Sequence, residues 1–228
     1  MTLKKYLMIG CSNCVYADED FVKVFNIPKV QIENLSMKGM GNRYITNRLF
    51  EYINIKGIPD YVYLQYTGLS RIDIPLDKKV TVPDYVYQKK TDKRNWVASG
   101  GRNGSWTECN MLKRFFAYMY NIASDSDDCQ YDLNLHEIFS AIELCKTLKI
   151  PYNWTTYYNY TDRNPDMMWT KQEGLIDKMP EYIDMTNHVG ESPLNIAYEL
   201  GDIPSDGCHY SRAIGEQLLL RNKDKFNL

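Results

Sequence analysis

No long apolar run occurs in this chain of 228 residues. A helix that crosses a bilayer needs about 20 consecutive apolar residues, and a signal peptide needs a long apolar centre near the amino terminus. Because the sequence contains neither pattern, we expect no membrane span, no signal peptide and a cytoplasmic location.

An excess of charge of one sign is also missing. The 27 lysines and arginines are nearly balanced by 29 aspartates and glutamates, and the two signs alternate along the chain. Proteins that bind nucleic acids usually gather basic residues into a stripe or patch that neutralises phosphates. The sequence therefore predicts no nucleic-acid partner.

The six cysteines lack the spacing of a disulfide framework. They are scattered through a chain long enough to fold without disulfides, so we expect free thiols. Cys11 and Cys14 form one C-x-x-C motif, which leaves a redox pair or half of a zinc site as an alternative function. No second C-x-x-C motif and no closely spaced histidine pair supplies further ligands, and the prediction is no metal and no cofactor.

The first third of the chain alternates strand and helix patterns. An apolar run from Tyr6 to Ile9 is closed by Gly10, which is typical of a strand buried on both faces. Further strands are predicted at Val30 to Leu35, at Tyr61 to Tyr66 and, much later, near Tyr152. A helix precedes the third strand, with four residues at helical spacing: Ile45, Leu49, Tyr52 and Ile53. This alternation predicts a three-layer α/β/α sandwich with a mainly parallel sheet of about five strands.

The alternation stops at Asp73. From there to about Ser105 the chain is polar, basic and rich in glycine, and we interpret about 73–130 as an insertion into a single domain of residues 1–228. The segment is either a binding loop or a surface excursion, with a short hairpin around Val80 to Tyr87 as one form. Helical periodicity returns at Met111 to Ile122 and at Leu135 to Leu148, where one face holds Ile138, Ala141, Ile142 and Cys145.

The carboxyl-terminal segment predicts one more helix. Ser211 is its expected cap, and its apolar side is expected to hold Ala213, Ile214, Gln217, Leu218 and Leu219. Asp206 and His209 then fall on the loop just before the first turn. The remaining histidines, His136 and His188, have no matching partners and are expected at the surface.

Ser12 lies in a turn of small residues just after the first strand. Ligands of open α/β sheets bind at the carboxyl ends of the strands, so its hydroxyl is either a nucleophile or a helix cap. A serine hydroxyl becomes nucleophilic when a base removes its proton, and His209 can serve as that base. A carboxylate such as Asp206 can fix the tautomer of the imidazole.

These features together resemble the SGNH hydrolases, also called the GDSL esterase family, whose fold is flavodoxin-like. Gly10-Cys11-Ser12 stands where that family has Gly-Asp-Ser, Gly39 lies in a loop after the second strand, and Asp206-x-x-His209 lies on the last loop. The resemblance implies that Ser12 is the nucleophile, His209 its general base and Asp206 the carboxylate that orients the imidazole.

The resemblance also implies an oxyanion hole. Its first two donors would be the backbone N–H groups of Ser12 and Gly39, but the family's Gly-x-Asn-Asp is replaced by Gln-Tyr-Thr-Gly-Leu-Ser-Arg. Loss of one oxyanion donor typically costs about 100- to 1000-fold in turnover. Thr67 is our first choice for the missing donor and Asn42 the competing one. Arg71 either binds an anionic group of the substrate or is a solvated loop residue.

The expected function is that of a serine esterase acting on a small-molecule or carbohydrate ester, with O-acetyl groups on carbohydrate as one candidate. The alternative is a binding or structural module that kept the fold and lost efficient catalysis, which the missing asparagine favours. The length and pattern resemble divergent SGNH-like proteins of phage and bacterial genomes, and for a phage-encoded chain the virion is the alternative location.

Overall fold

The structure is a computed structural model, and it describes residues 4–69, 71–77, 79, 88–90, 94–98, 114, 127–161, 178–202, 210–226 and 228. Seven strands have described bounds: β1 (Tyr6–Gly10), β2 (Ile32–Asn34), β3 (Tyr61–Tyr66), β4 (Asp73–Asp77), β5 (Gln88–Lys90), β6 (Arg94–Ala98) and β7 (Tyr152–Thr156). Five helices have described bounds: α1 (Ala17–Phe25), α2 (Asn42–Lys56), α3 (Asp127–Thr147), α4 (Pro193–Glu199) and α5 (Arg212–Arg221).

The central sheet is parallel, with the strand order β2-β1-β3-β7. Every residue of β1, β3 and β7 is buried, as expected for parallel strands covered on both faces. The described residues form four strands here, and a single parallel bridge between Trp154 and His188 marks a fifth position beside β7. The predicted α/β class with a mainly parallel sheet is confirmed.

Helices cover both faces of this sheet. On one face, α2 and α3 pack over Leu7, Ile9 and Leu64 in the larger of two apolar cores. On the other face, α1 and α5 pack over Met8 and Tyr63 in the second core. Because successive side chains of a strand point to opposite faces, each buried strand contributes to both cores. The result is the three-layer α/β/α arrangement.

The segment after β3 differs from the expectation of an irregular insertion. Residues Asp73–Asp77 form β4, which pairs antiparallel with β6, and β6 pairs with β5 to complete a small second sheet. Its fully buried Trp96 packs edge-on against Tyr44 of α2, 5.5 Å between ring centroids. The helix α3 already begins at Asp127, inside the range of 73–130 assigned to the insertion. The predicted hairpin at 80–87 lies outside the described residues, as does the helix at 111–122 except for Arg114, which is helical.

Other expectations are met or corrected at single residues. The bounds of β3 and the buried face of α3 are as predicted. The second strand is shorter than Val30 to Leu35, because residues 29–31 form a 3-10 turn in which Val30 is 83% exposed. Ser211 is at the cap position of α5 but makes no capping hydrogen bond through its side chain, and Ala213 is exposed.

The two histidines outside the candidate site also differ from each other. His136 is exposed, as expected, and stacks on Tyr182. His188 is half-buried rather than fully at the surface: its ring lies 4.4 Å from that of Trp154, and burial lowers its pKa to about 4. Among the helices described, none is long and apolar enough to cross a membrane.

Candidate functional site

The turn that holds Ser12 begins where β1 ends. Residues Ser12–Cys14 form one 3-10 turn, closed by the N–H of Cys14 donating to the carbonyl of Cys11 at 3.1 Å. A methyl group at Gly10 would lie 2.4 Å from Cβ of Cys14 and 3.0 Å from Cβ of Gln65, so only glycine allows this close approach. Because Gly10 has no side chain, the chain can turn sharply at the carboxyl end of the sheet. Ser12, which lies in this turn, is 8% exposed.

The position of this turn is a topological switch point. From β1 the chain proceeds through α1 to β2 on one side, whereas β3 lies on the other side of β1. The helices α1 and α2 cover opposite faces. A crevice opens at such a point in doubly wound sheets and is where they bind ligands. Ser12 follows one of the two strands that border the crevice and Thr67 follows the other.

The loop after β2 runs alongside the end of β1. The N–H of Leu35 donates to the carbonyl of Met8 at 2.8 Å, and the N–H of Met37 donates to the carbonyl of Gly10 at 3.0 Å. The chain then turns through Gly39, which has a φ of 76° and is buried. This left-handed conformation favours glycine.

A buried carboxylate fixes the end of this loop. Both carboxylate oxygens of Asp73 accept the N–H of Gly41, at 2.8 and 2.9 Å, and one of them also accepts the N–H of Tyr44 at 3.0 Å. Asp73 thus caps α2 from the first strand of the small sheet. Burial raises its pKa to about 6, against the opposing effect of these N–H groups and of Arg71.

Asn42 and Thr67 are joined directly. The side-chain oxygen of Asn42 accepts the N–H of Thr67 at 2.8 Å, and its amide nitrogen donates to the Thr67 carbonyl at 3.4 Å. The hydroxyl of Tyr160 donates to the same carbonyl. Thr67 is fully buried, and its own hydroxyl has no hydrogen-bond partner in the described part of the chain. Its hydroxyl is therefore an unused donor.

Arg71 lies half-buried against the loop after β2. Its guanidinium donates to the carbonyl of Met40 at 3.3 Å, and its Cβ would meet a methyl group at Gly41 at 2.9 Å. It is therefore packed against this loop, in contrast to the solvated residue that was one of the two expectations.

The segment before α5 reaches the same end of the sheet. Tyr210 stacks on Tyr157, 6.0 Å between ring centroids, and its hydroxyl lies 3.4 Å from the side-chain nitrogen of Gln65 on β3. Asp206 and His209 lie outside the described residues. Tyr210, the residue after His209, is the first described residue that follows them in the sequence.

A cavity of about 160 Å³ lies beside Ser12. Its walls come from the 3-10 turn after β1, the loop after β2, and the two helices α1 and α5 with the residues just before them. The lining residues include Ser12, Tyr16, Asp20, Lys38, Tyr210 and Arg212. Ser12 and Tyr210 therefore share one cavity, although they are far apart in the sequence.

Asp20 is the unexpected member of this cavity wall. It is 5% exposed, and its carboxylate packs so close to α5 that a methyl group at Gly215 would lie 2.5 Å from one oxygen. Burial raises its pKa to about 6, with Arg212 and Lys23 opposing the shift. The sequence contained a signal for it, because Asp20 falls on the apolar stripe of α1 with Ala17, Phe21 and Val24.

The C-x-x-C pair consists of two buried, free thiols. Burial raises the pKa of Cys14 well above its usual range, which disfavours the thiolate needed for redox chemistry or metal binding. Within the described ranges, no group of three or more His, Cys, Asp or Glu residues is placed to hold a metal ion.

No protein-family model matches this chain, and no curated protein matches it significantly.

Proposed function

We propose that this chain is a serine esterase of the SGNH type, acting on a small-molecule or carbohydrate ester. The observation that best supports this function is the position of Ser12 at the switch point of the sheet. There it lines a cavity together with Tyr210, which directly follows His209 in the sequence. A hydroxyl, a cavity for a substrate and a chain segment bearing a histidine are the parts that acyl transfer requires.

In the proposed reaction, His209 takes the proton of the Ser12 hydroxyl while Ser12 Oγ attacks the ester carbonyl. Asp206 orients the imidazole and stabilises the imidazolium. The tetrahedral intermediate collapses, His209 returns the proton to the leaving alcohol, and an acyl-Ser12 ester remains. Water, activated by the same histidine, then releases the acid and restores Ser12.

The negative charge on the carbonyl oxygen needs hydrogen-bond donors. We assign this role to the backbone N–H groups of Ser12 and Gly39 and to the unused hydroxyl of Thr67. Asn42 becomes a supporting residue, since its amide already binds the backbone of Thr67. Contact of Arg71 with an anionic substrate group stays a prediction.

A fluorophosphonate probe tests the proposal, because it labels activated serines rapidly. We expect mass spectrometry to find the label on Ser12, and we expect Ser12→Ala and His209→Ala each to abolish hydrolysis of p-nitrophenyl acetate. The double variant should lose little more than either single variant, because triad members act as one unit. Asp206→Asn should lose less, yet still substantially.

Matched controls are Ser140→Ala and His136→Ala on α3, where the Ser140 hydroxyl donates to the His136 carbonyl. Both should keep full activity. Equal activity of the wild type and Ser12→Ala would rule out the mechanism. A folded wild type that neither labels nor hydrolyses esters would favour the binding module, for which the missing Gly-x-Asn-Asp is the supporting observation.

A further inference from the structure

The wall of the cavity beside Ser12 contains a buried acceptor oxygen to which no described residue donates a hydrogen bond. Asp20 is more than nine-tenths buried, and its Oδ1 has no hydrogen-bond partner within the described residues. A buried carboxylate oxygen without a donor is costly, because burial removes its water and no hydrogen bond replaces it. Such a group in a cavity wall is suited to a ligand that brings a donor.

Arg212 lies near this carboxylate but does not satisfy it. Its Nε is 3.8 Å from Asp20 Oδ1, which is beyond hydrogen-bond distance. The guanidinium also pairs with Glu19 and lies 5.9 Å from the centre of the Tyr16 ring. A hydroxyl group can donate to a carboxylate and accept from a guanidinium at the same time. Asp20 and Arg212 together therefore match a hydroxyl.

The charges and aromatic rings of the other lining residues limit the chemical class of ligand that the cavity can bind. Lys38 and Arg212 disfavour a cationic ligand, and the carboxylate of Asp20 disfavours an anionic one. Tyr16 and Tyr210 supply apolar ring surface with polar ends, which suits a small neutral molecule that carries hydroxyl groups.

From this geometry we infer that the cavity binds the alcohol part of the substrate, and that a free hydroxyl of that alcohol binds Asp20 and Arg212. The substrate class is then the ester of a polyhydric alcohol. The inference rests on the proposed esterase function, since it places the alcohol beside Ser12.

The titration of Asp20 gives the subsite a pH signature. Its charged neighbours are Glu19 and Lys23 on α1 and Arg212 and Glu216 on α5, and burial raises its pKa to about 6. The ionised carboxylate accepts a hydrogen bond more strongly than the protonated one. The preference for a hydroxyl-bearing ester should therefore increase as the pH rises through 6.

Two acetate esters with the same acyl group and the same carbon chain test this inference: glycerol 1-acetate and propyl acetate. We expect the wild type to prefer glycerol 1-acetate in kcat/KM by about 10- to 100-fold, the worth of a hydrogen bond to a charged group. Asp20→Asn keeps the size of the side chain and should remove most of that preference. Because both substrates use the same His209, the ratio of their kcat/KM values cancels its titration.

Arg212→Ala is the second variant, since the Arg212 side chain is 44% exposed and its loss should not prevent folding. It should also reduce the preference. Glu216→Gln is the matched control on the same helix, because Glu216 pairs with Lys23 at 3.0 Å. It should leave the ratio within about 2-fold of the wild type, as for a surface ion pair.

Hydrolysis of p-nitrophenyl acetate separates the two possible failures. If the wild type hydrolyses it but does not distinguish the two acetates, or if Asp20→Asn and Arg212→Ala both keep the preference, the subsite is wrong and the esterase stands. If the wild type hydrolyses no ester, the esterase is wrong. Binding of glycerol 1-acetate is then measured by NMR titration: a Kd weakened about 10-fold by Asp20→Asn supports the subsite, and an unchanged Kd overturns it.

Discussion

At the residue scale, Thr67 is the side chain on which the proposed oxyanion hole depends most. Its backbone is held by Asn42 and Tyr160, whereas its hydroxyl has no partner in the described structure. A rigid backbone with an unused donor is the arrangement that preorganised stabilisation of an oxyanion requires. The role of Thr67 can be tested without disturbing the shape of the site.

We expect Thr67→Val to lower turnover of p-nitrophenyl acetate by up to about 100-fold while the fold is kept, because valine preserves the shape and removes the donor. Steady-state kinetics and a thermal melt measure the two effects. Asn42→Ala should lower both stability and turnover, since it leaves the buried N–H of Thr67 without its acceptor. If Asn42→Ala alone is crippling and Thr67→Val is silent, our choice of donor is wrong.

Asp20 leads to a second prediction at the residue scale, which concerns how the unfolding free energy depends on pH. Its pKa is raised from 3.8, the value for an unperturbed aspartate in the unfolded chain, to about 6 in the folded protein. The folded state therefore binds the proton more tightly. The unfolding free energy should therefore fall as the pH rises from about 4 to about 6, by at most about 3 kcal/mol from this group because solvent screens part of the effect. Asp20→Asn should remove that part of the decline, so the variant gains stability relative to the wild type at pH 7.

Urea denaturation at pH 4, 5, 6 and 7 measures this difference. Asp224→Asn is the control, because Asp224 is exposed in the turn after α5. It should follow the wild type at every pH. A constant difference between Asp20→Asn and the wild type from pH 4 to pH 7 would contradict the prediction.

At the scale of elements, the small sheet is linked to the candidate site through one residue. Asp73 is the first residue of β4 and accepts the N–H groups of Gly41 and Tyr44 at the start of α2. The loop that precedes α2 contains Gly39, a proposed oxyanion donor. The second sheet therefore helps to hold the loop that contains this proposed donor.

Asp73→Ala should lower the unfolding free energy by about 2–4 kcal/mol, because it leaves two buried N–H groups without an acceptor and removes a helix cap. Asp77→Ala at the exposed end of the same strand is the control and should change it by less than about 0.5 kcal/mol. Denaturant unfolding measures both. A loss for Asp73→Ala as small as that of the control would show that the contact does not stabilise α2.

At the scale of the whole molecule, the candidate site joins the two ends of the chain. Ser12 follows the first strand and His209 precedes the last helix, and α1 packs against α5 in the same apolar core. Phe226 closes this core after α5. Its ring lies 5.7 Å from that of Phe21 and 6.0 Å from that of Tyr63.

We expect Phe226→Ala to lower the unfolding free energy by about 3–4 kcal/mol, as for other buried aromatic residues cut back to alanine. Leu228→Ala is the control, since Leu228 is 36% exposed, and it should have little effect. Urea denaturation followed by tyrosine and tryptophan fluorescence measures both. Similar stabilities of the two variants would show that the chain end does not close the core.

The local sequence pattern predicted those strands and helices whose buried residues are consecutive or recur at regular spacing along the chain. The bounds of β3 are as expected because six consecutive residues are buried, and the buried face of α3 follows from its helical spacing. The pattern failed at Asp73–Asp77, where β4 pairs with a strand that begins more than a dozen residues later. Such a pairing depends on a distant partner, and local periodicity contains no information about it.

The amino-acid sequence was enough to predict the α/β class, the close turn at Gly10 and the candidate Ser12, because these depend on neighbouring residues and on steric limits of the backbone. The surroundings of that serine depend on the packed fold: the hydrogen bonds from Gly41 and Tyr44 to Asp73, the pairing of Asn42 with Thr67, and the burial of Asp20 against Gly215. Each of these contacts joins residues from separate elements. Their burial and charge state arise only when the helices pack on the sheet and remove water from between them.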